Sequence, residues 1–249
     1  MTVKLYSLAT SHPARAAGLM LRHKGVEHEI VNLPPGSQPV VLRVRGFPGP
    51  TVPALEIDGR RVQGSREISR ALDKLQPEPP LFPSDPERRE AVEAAETWGE
   101  AVYQSVPRRI FRWSLSHDRD LRVALAEASD MPAIPIVASL TRPVAVGFAL
   151  AVGATAEAVR GDLATLPTHL DRIDSLIADG VIGGEELNAA DFQIGTSTRV
   201  LLNFPQIAPL IEGRPAGEHA MRIAPNFGRQ MSLRLPPEWL PEGTPARVS

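Results

Sequence analysis

The hydrophobic pattern changes period along the chain. Short strand-like and helix-like runs alternate up to about residue 75, and helical spacing alone follows. A strand is predicted over 3–8, a helix over 14–24, and further strands over 28–33 and 54–57. Asp58-Gly59 is a two-residue turn signal, so residues 60–63 should return against 54–57 as a hairpin. Ile68, Ala71, Leu72 and Leu75 then recur at i, i+3, i+4 and i+7, the stripe of an amphipathic helix. The order is βαβ, a segment of weak signal, then ββα.

Pro77, Pro79, Pro80, Pro83 and Pro86 crowd the stretch after that helix, where each removes a backbone donor and fixes φ. A linker is expected over 77–86, between an α/β domain over 1–76 and an all-helical domain over 87–235. Val92, Ala95, Gly99 and Val102 carry helical spacing in the second part, as do Val159, Leu163, Leu166, Leu170, Ile173 and Ile177. The tail over 236–249 holds Pro236, Pro237, Pro241 and Pro245 and should be extended.

Composition narrows the chemistry. The 249 residues suffice for two cores, and a net charge of -2 with scattered basic residues gives no nucleic-acid or anionic-membrane footprint. There is no cysteine, which excludes disulfides, thiolate metal ligands and a cysteine nucleophile, and no metal site is expected. Any sulfur chemistry must use a ligand's thiol. The start of the chain lacks a basic region followed by an apolar one, so a cytoplasmic protein is expected. The apolar stretch 133–154 is broken by Pro135, Arg142 and Pro143, which favours a buried helical segment over a membrane span.

Three places carry candidate chemistry. Ser11-His12-Pro13-Ala14 joins the first strand to the first helix. Ser11 or His12 can cap that helix, with proline in its first turn. The Ser11 hydroxyl can equally donate to a bound thiolate and lower the thiol's pKa; the two roles are compatible. A thioredoxin-type redox site would need C-x-x-C here, so dithiol exchange is excluded. His12 has no orienting carboxylate nearby in sequence and is a weak candidate base. In Thr51-Val52-Pro53-Ala54-Leu55, Pro53 either starts a strand or follows a cis bond that leaves the Val52 backbone free to pair with an extended ligand. In Gly64-Ser65-Arg66-Glu67, Gly64 can cap and Glu67 can complete a capping box, which places Ser65 in a first turn that favours a carboxylate.

Two further motifs are assigned more simply. Asn188-Ala189-Ala190-Asp191 is a cap-x-x-acid signature and needs no ligand. Arg108, Arg109, Phe111, Arg112 and Trp113 mix bases with aromatics. Such a run can serve nucleic acid or an acidic substrate; a helix flank facing the cleft or solvent is the simpler account.

In this order and spacing the motifs resemble the cytosolic glutathione transferase superfamily, to about residue 205. The matching stretches are Ser11-His12-Pro13-Ala14-Arg15, Thr51-Val52-Pro53-Ala54-Leu55, Gln63-Gly64-Ser65-Arg66-Glu67-Ile68 and Leu187-Asn188-Ala189-Ala190-Asp191-Phe192. The resemblance implies a thioredoxin-like N-terminal domain, a helical-bundle C-terminal domain, glutathione bound between them and a homodimer. It implies that Val52 and a cis Pro53 hold the cysteinyl backbone, that Ser65 receives the γ-glutamyl carboxylate, and that Ser11 activates the thiol as in the serine-type, theta-like arrangement. Tyr6 lies too early to match the tyrosine-type residue.

This sequence departs from the family in two places. Gly64 stands where an acid usually meets the γ-glutamyl ammonium, and Phe47-Pro48-Gly49-Pro50-Thr51 lacks the side chain that commonly holds the glycyl end. Two charge-assisted contacts at about 1.5 to 3 kcal/mol each would weaken glutathione binding by orders of magnitude, which admits another small thiol. The reading is a glutathione S-transferase-like enzyme that conjugates glutathione or a related thiol to a hydrophobic electrophile, in a detoxification role. His12 is expected in the substrate pocket, together with Trp98, Tyr103, Arg109 and Trp113 of the helical part. The alternatives are an idle transferase fold serving as a binding module, or a thiol-dependent isomerase or dehalogenase.

Overall fold

The computed structural model describes residues 1–128, 140–228, 230–231, 233–241 and 244. Its first part is a mixed sheet of β1 (Val3–Ser7), β2 (Glu29–Asn32), β3 (Ala54–Ile57) and β4 (Arg60–Gln63), in the order β2-β1-β3-β4. β1 pairs in parallel with β2, with Leu5 opposite Ile30, and antiparallel with β3, with Leu5 opposite Leu55. The β3–β4 hairpin closes through Asp58 and Gly59, whose φ values of 46° and 83° are the left-handed pair that the Asp-Gly signal favours.

Helix α1 (His12–His23) and helix α3 (Ser65–Leu75) sit against one face of the sheet. Ala16, Ala17, Met20 and Leu21 of α1 and Ile68 and Leu72 of α3 are fully buried there with Leu5 and Leu55. Each large aliphatic side chain so buried contributes about 1.5 to 3 kcal/mol. The expected stripe on α3 ends early, because Leu75 is exposed. A smaller cluster of Tyr6, Leu33, Leu42, Phe47 and Ala54 packs together with helix α2 (Gln38–Val44). That helix fills the segment of weak signal: it is seven residues long and carries three valines, which favour strands.

The helical part runs through α4 (Pro86–Trp98), a π-helical turn at Gly99–Tyr103, α5 (Ser105–His117), α6 (Arg119–Ala128), α7 (Arg142–Ala151), α8 (Ala156–Ala178), α9 (Ala189–Leu202) and α10 (Pro215–Ile223). Its core helix is α9, which packs on α1, α4 and α10 and buries eleven of its fourteen residues. The Asn188 capping box is formed in full, with Asp191 accepting from the Asn188 amide at 2.8 Å. The π-helical turn breaks the expected stripe, so Val102 faces solvent. The predicted buried segment over 133–154 is corrected in part. Residues 133–139 lie outside the described residues, and α7 rests on α5 with Val144 56% and Leu150 68% exposed. In the tail, Pro237–Trp239 forms a 3-10 turn where an extended chain is expected. Among the described residues no single helix is long and apolar enough to cross a membrane.

Candidate functional site

The loop after β1, the approach to β3 and the start of α3 form one wall of a cavity of about 920 Å³, and the helical part forms the other. Ser11, His12, Thr51, Val52, Pro53, Gly64 and Ser65 all line it, so the three sequence-distant motifs converge. Convergence follows from topology: β1 and β3 are neighbours, and each delivers its adjoining motif to the same end of the sheet.

Ser11 is the N-cap of α1, its Oγ accepting from the Ala14 amide at 3.3 Å. Its hydroxyl proton is given to no acceptor among the described residues. Capping and an uncommitted donor therefore coexist on one side chain, since a hydroxyl has both lone pairs and a hydrogen. His12 is buried behind it with an unpartnered Nε2. Burial pushes its pKa down to about 3, helped by the Arg108 charge and opposed weakly by the Gln104 backbone. At neutral pH the ring is uncharged, and it is too weak a base to deprotonate a thiol.

The Val52-Pro53 bond is cis, and the Val52 N–H and C=O make no hydrogen bond among the described residues. Gln63 staples the loop before it: its Oε1 accepts from the Gly49 amide at 2.7 Å, and its Nε2 donates to the carbonyls of Gly49 at 2.9 Å and Thr51 at 2.6 Å. Thr51 is thus held by its backbone, with its side chain outside that network.

Gly64 precedes α3 with φ 99°, in the left-handed region, and its amide donates to the Pro53 carbonyl at 3.1 Å. No side-chain cap forms there. Instead, Glu67 folds back so that a Cβ on residue 64 would lie 2.5 Å from its Oε2. Ser65 donates from Oγ to Glu100 Oε1 at 3.2 Å, and Arg66 approaches Glu100 Oε2 at 3.8 Å. Besides the Glu67 carboxylate beside position 64, a second acid reaches Ser65: Glu100, from the π-helical turn. No sequence signal marked it, because it lies 35 residues from its partner.

Four residues expected in the substrate pocket, Trp98, Tyr103, Arg109 and Trp113, lie outside the cavity lining. Tyr103 is fully buried, bonded to the Thr198 hydroxyl at 3.0 Å and stacked on Trp98, and burial pushes its phenol well above the ordinary value. Arg109 forms a bidentate pair with Asp162 of α8. Trp113 is buried against His117 and Trp239. The face of α5 that does line the cavity carries Arg108, Phe111 and Arg112, with Gln104 just before the helix. The error is one of helical phase: positions 108, 111 and 112 share a face, whereas 109 and 113 point a quarter-turn or more away.

Residues 5–80 match the family described as the glutathione S-transferase N-terminal domain. The matched stretch runs from β1 to just past α3, the sheet-bearing part of the chain. The chain as a whole carries the glutathione S-transferase fold. A glutathione S-transferase from Rhodospirillum rubrum F11 is 20% identical, with 90% of this chain and 88% of that one covered at a TM-score of 0.64. A transferase from Methylobacterium radiotolerans, solved with glutathione sulfonate, is 19% identical, with 94% and 100% covered at a TM-score of 0.56. FzlA from C. crescentus is 18% identical, with 90% and 88% covered at a TM-score of 0.60. No curated protein matches the chain.

Proposed function

We propose that this chain is a glutathione S-transferase-like enzyme in which Ser11 donates a hydrogen bond to the sulfur of glutathione or a related small thiol. The observation that carries this reading is the Ser11 hydroxyl, which has an uncommitted proton on the cavity wall beside the unpaired Val52 backbone. Hydrogen bonding to the charged form lowers the thiol pKa, so more thiolate is present at neutral pH. The thiolate attacks an electrophile held against the helical wall, and the thiol proton leaves to solvent.

The amino-acid end of glutathione, a zwitterion, suits the start of α3. Its carboxylate would meet the free amides of the first turn and the Ser65 hydroxyl, and its ammonium would meet Glu100. At the glycyl end, no lysine or arginine lies among the lining residues of the 50–53 loop, and Gln38 is already engaged with Gly36 and Pro34. A thiol with no carboxylate at that end would lose nothing. A homodimer in the cytoplasm, with a detoxification role, accompanies the reading from the family resemblance, and light scattering tests the assembly.

Turnover of 1-chloro-2,4-dinitrobenzene with glutathione tests the function. Ser11→Ala should lower kcat/KM by about a hundredfold, on the scale of a lost transition-state hydrogen bond, and retained turnover overturns the role of Ser11. The second reading, an idle fold that binds partners, is favoured by the Glu100 carboxylate on Ser65, where a ligand carboxylate would sit. Calorimetry separates them: the enzyme binds glutathione or another cellular thiol, and the idle fold binds none.

A further inference from the structure

Three arginines on α5, at positions 108, 109 and 112, divide their partners unequally. Arg109 has the Asp162 carboxylate. Arg108 donates from Nη2 to the neutral Gln104 side chain. Arg112 makes no hydrogen bond or ion pair among the described residues, and its guanidinium lies 5.1 Å from the centre of the Phe148 ring. Arg108 and Arg112, four residues apart, both line the cavity.

This placement is costly by itself. Like charges at i and i+4 on a helix repel, and both guanidiniums are half-buried, so their pKa values are lowered by desolvation first, with Arg108 adding to the effect on Arg112. Glu100 lines the same cavity and partly offsets the Arg108 charge, but its hydrogen bond goes to Ser65. The Arg112 fork and the Arg108 N–H groups not given to Gln104 remain on the wall of a cavity whose other walls include Phe111, Leu125, Phe227 and Met231.

We propose that Arg108 and Arg112 form an anion-binding subsite, so that the second substrate is an amphipathic organic anion: an aromatic or similar apolar body carrying a carboxylate. The carboxylate takes paired N–H donors from the arginines, and the body packs against Phe148 and Phe111. Only the chemistry that follows binding rests on the transferase reading. With 4-chloro-3,5-dinitrobenzoate as a probe, the thiolate sulfur forms a bond to the ring carbon bearing chlorine, the C–Cl bond breaks with its electron pair leaving as chloride, and the thiol proton passes to solvent.

Calorimetry without any thiol tests the subsite. Wild type should bind unreactive 3,5-dinitrobenzoate about tenfold more tightly than its methyl ester, the scale of one charge-assisted contact. Arg112→Gln should abolish that preference while leaving the ester and S-methylglutathione within about twofold; Arg112→Lys should keep part of it, which separates charge from misfolding. Equal binding of acid and ester, or a preference that survives in the Arg108→Gln/Arg112→Gln double variant, overturns the proposal. So does a loss confined to S-methylglutathione, since the arginines would then hold the thiol's own carboxylate. If 3,5-dinitrobenzoate binds as expected but neither chlorinated probe is turned over with any thiol, the transferase reading fails and the subsite stands.

Discussion

The Ser65 hydroxyl donates to the Glu100 carboxylate at 3.2 Å, tying the first turn of α3 to the π-helical turn that follows α4. This contact spans the sheet-bearing and helical parts at the rim of the cavity. It brings a carboxylate from the helical part against Ser65, next to the Glu67 carboxylate that folds back on Gly64.

Glu100→Gln should weaken glutathione about tenfold, the loss of one charge-assisted contact to the ammonium. Glutathione without its amino group should bind the variant at least as well as it binds wild type, because repulsion of its carboxylate is relieved. Calorimetry with the two ligands checks the pair of outcomes, and an equal loss for both would place Glu100 in a structural role alone.

His12 links the site to acid stability. Its pKa is about 3 in the folded chain, against 6.5 as the ordinary value, so between these limits the unfolded state binds the extra proton. Stability is unaffected by this group above pH 6.5 and is lost as pH falls toward about 3, by about 1.4 kcal/mol per pH unit. His12→Leu should remove about 2 kcal/mol of the stability lost between pH 7 and pH 5, read from urea unfolding at each pH. An unchanged slope would show that the imidazole is not held neutral.

Asp191 is fully buried and accepts from the amides of Gly183 at 2.7 Å and Asn188 at 2.8 Å and from His219 Nε2 at 2.8 Å. Asp191→Ala strands the buried Asn188 amide and the half-buried Gly183 amide and should cost about 2 to 4 kcal/mol, visible in the urea midpoint. His219→Leu leaves both amide bonds in place and should cost less.

Gly195 lets α9 approach α10: a Cβ there would lie 2.8 Å from Ile223 Cγ1 and 2.9 Å from Ile223 Cβ. Gly195→Ala gains helix propensity yet should be net destabilising by about 1 to 3 kcal/mol. Adding Ile223→Ala should recover part of the loss, and a thermal melt of the double variant checks the coupling.

The sequence by itself determined the strands at 3–7 and 54–63, the α1 and α3 helices, the Asn188 cap and the three motifs that line the cavity, because each is written in local periodicity or turn chemistry. It also excluded cysteine chemistry outright. Tertiary structure decided the rest. Helix α2 is held by packing rather than propensity, and α7 rests on α5 while Val144 and Leu150 on it stay exposed. The π-helical turn sets the phase of α5, so Arg108 and Arg112 reach the cavity while Arg109 and Trp113 turn away. Glu100 reaches Ser65 only because the two parts of the chain close on one another. Charges far apart in sequence meet through packing geometry, which no local pattern encodes.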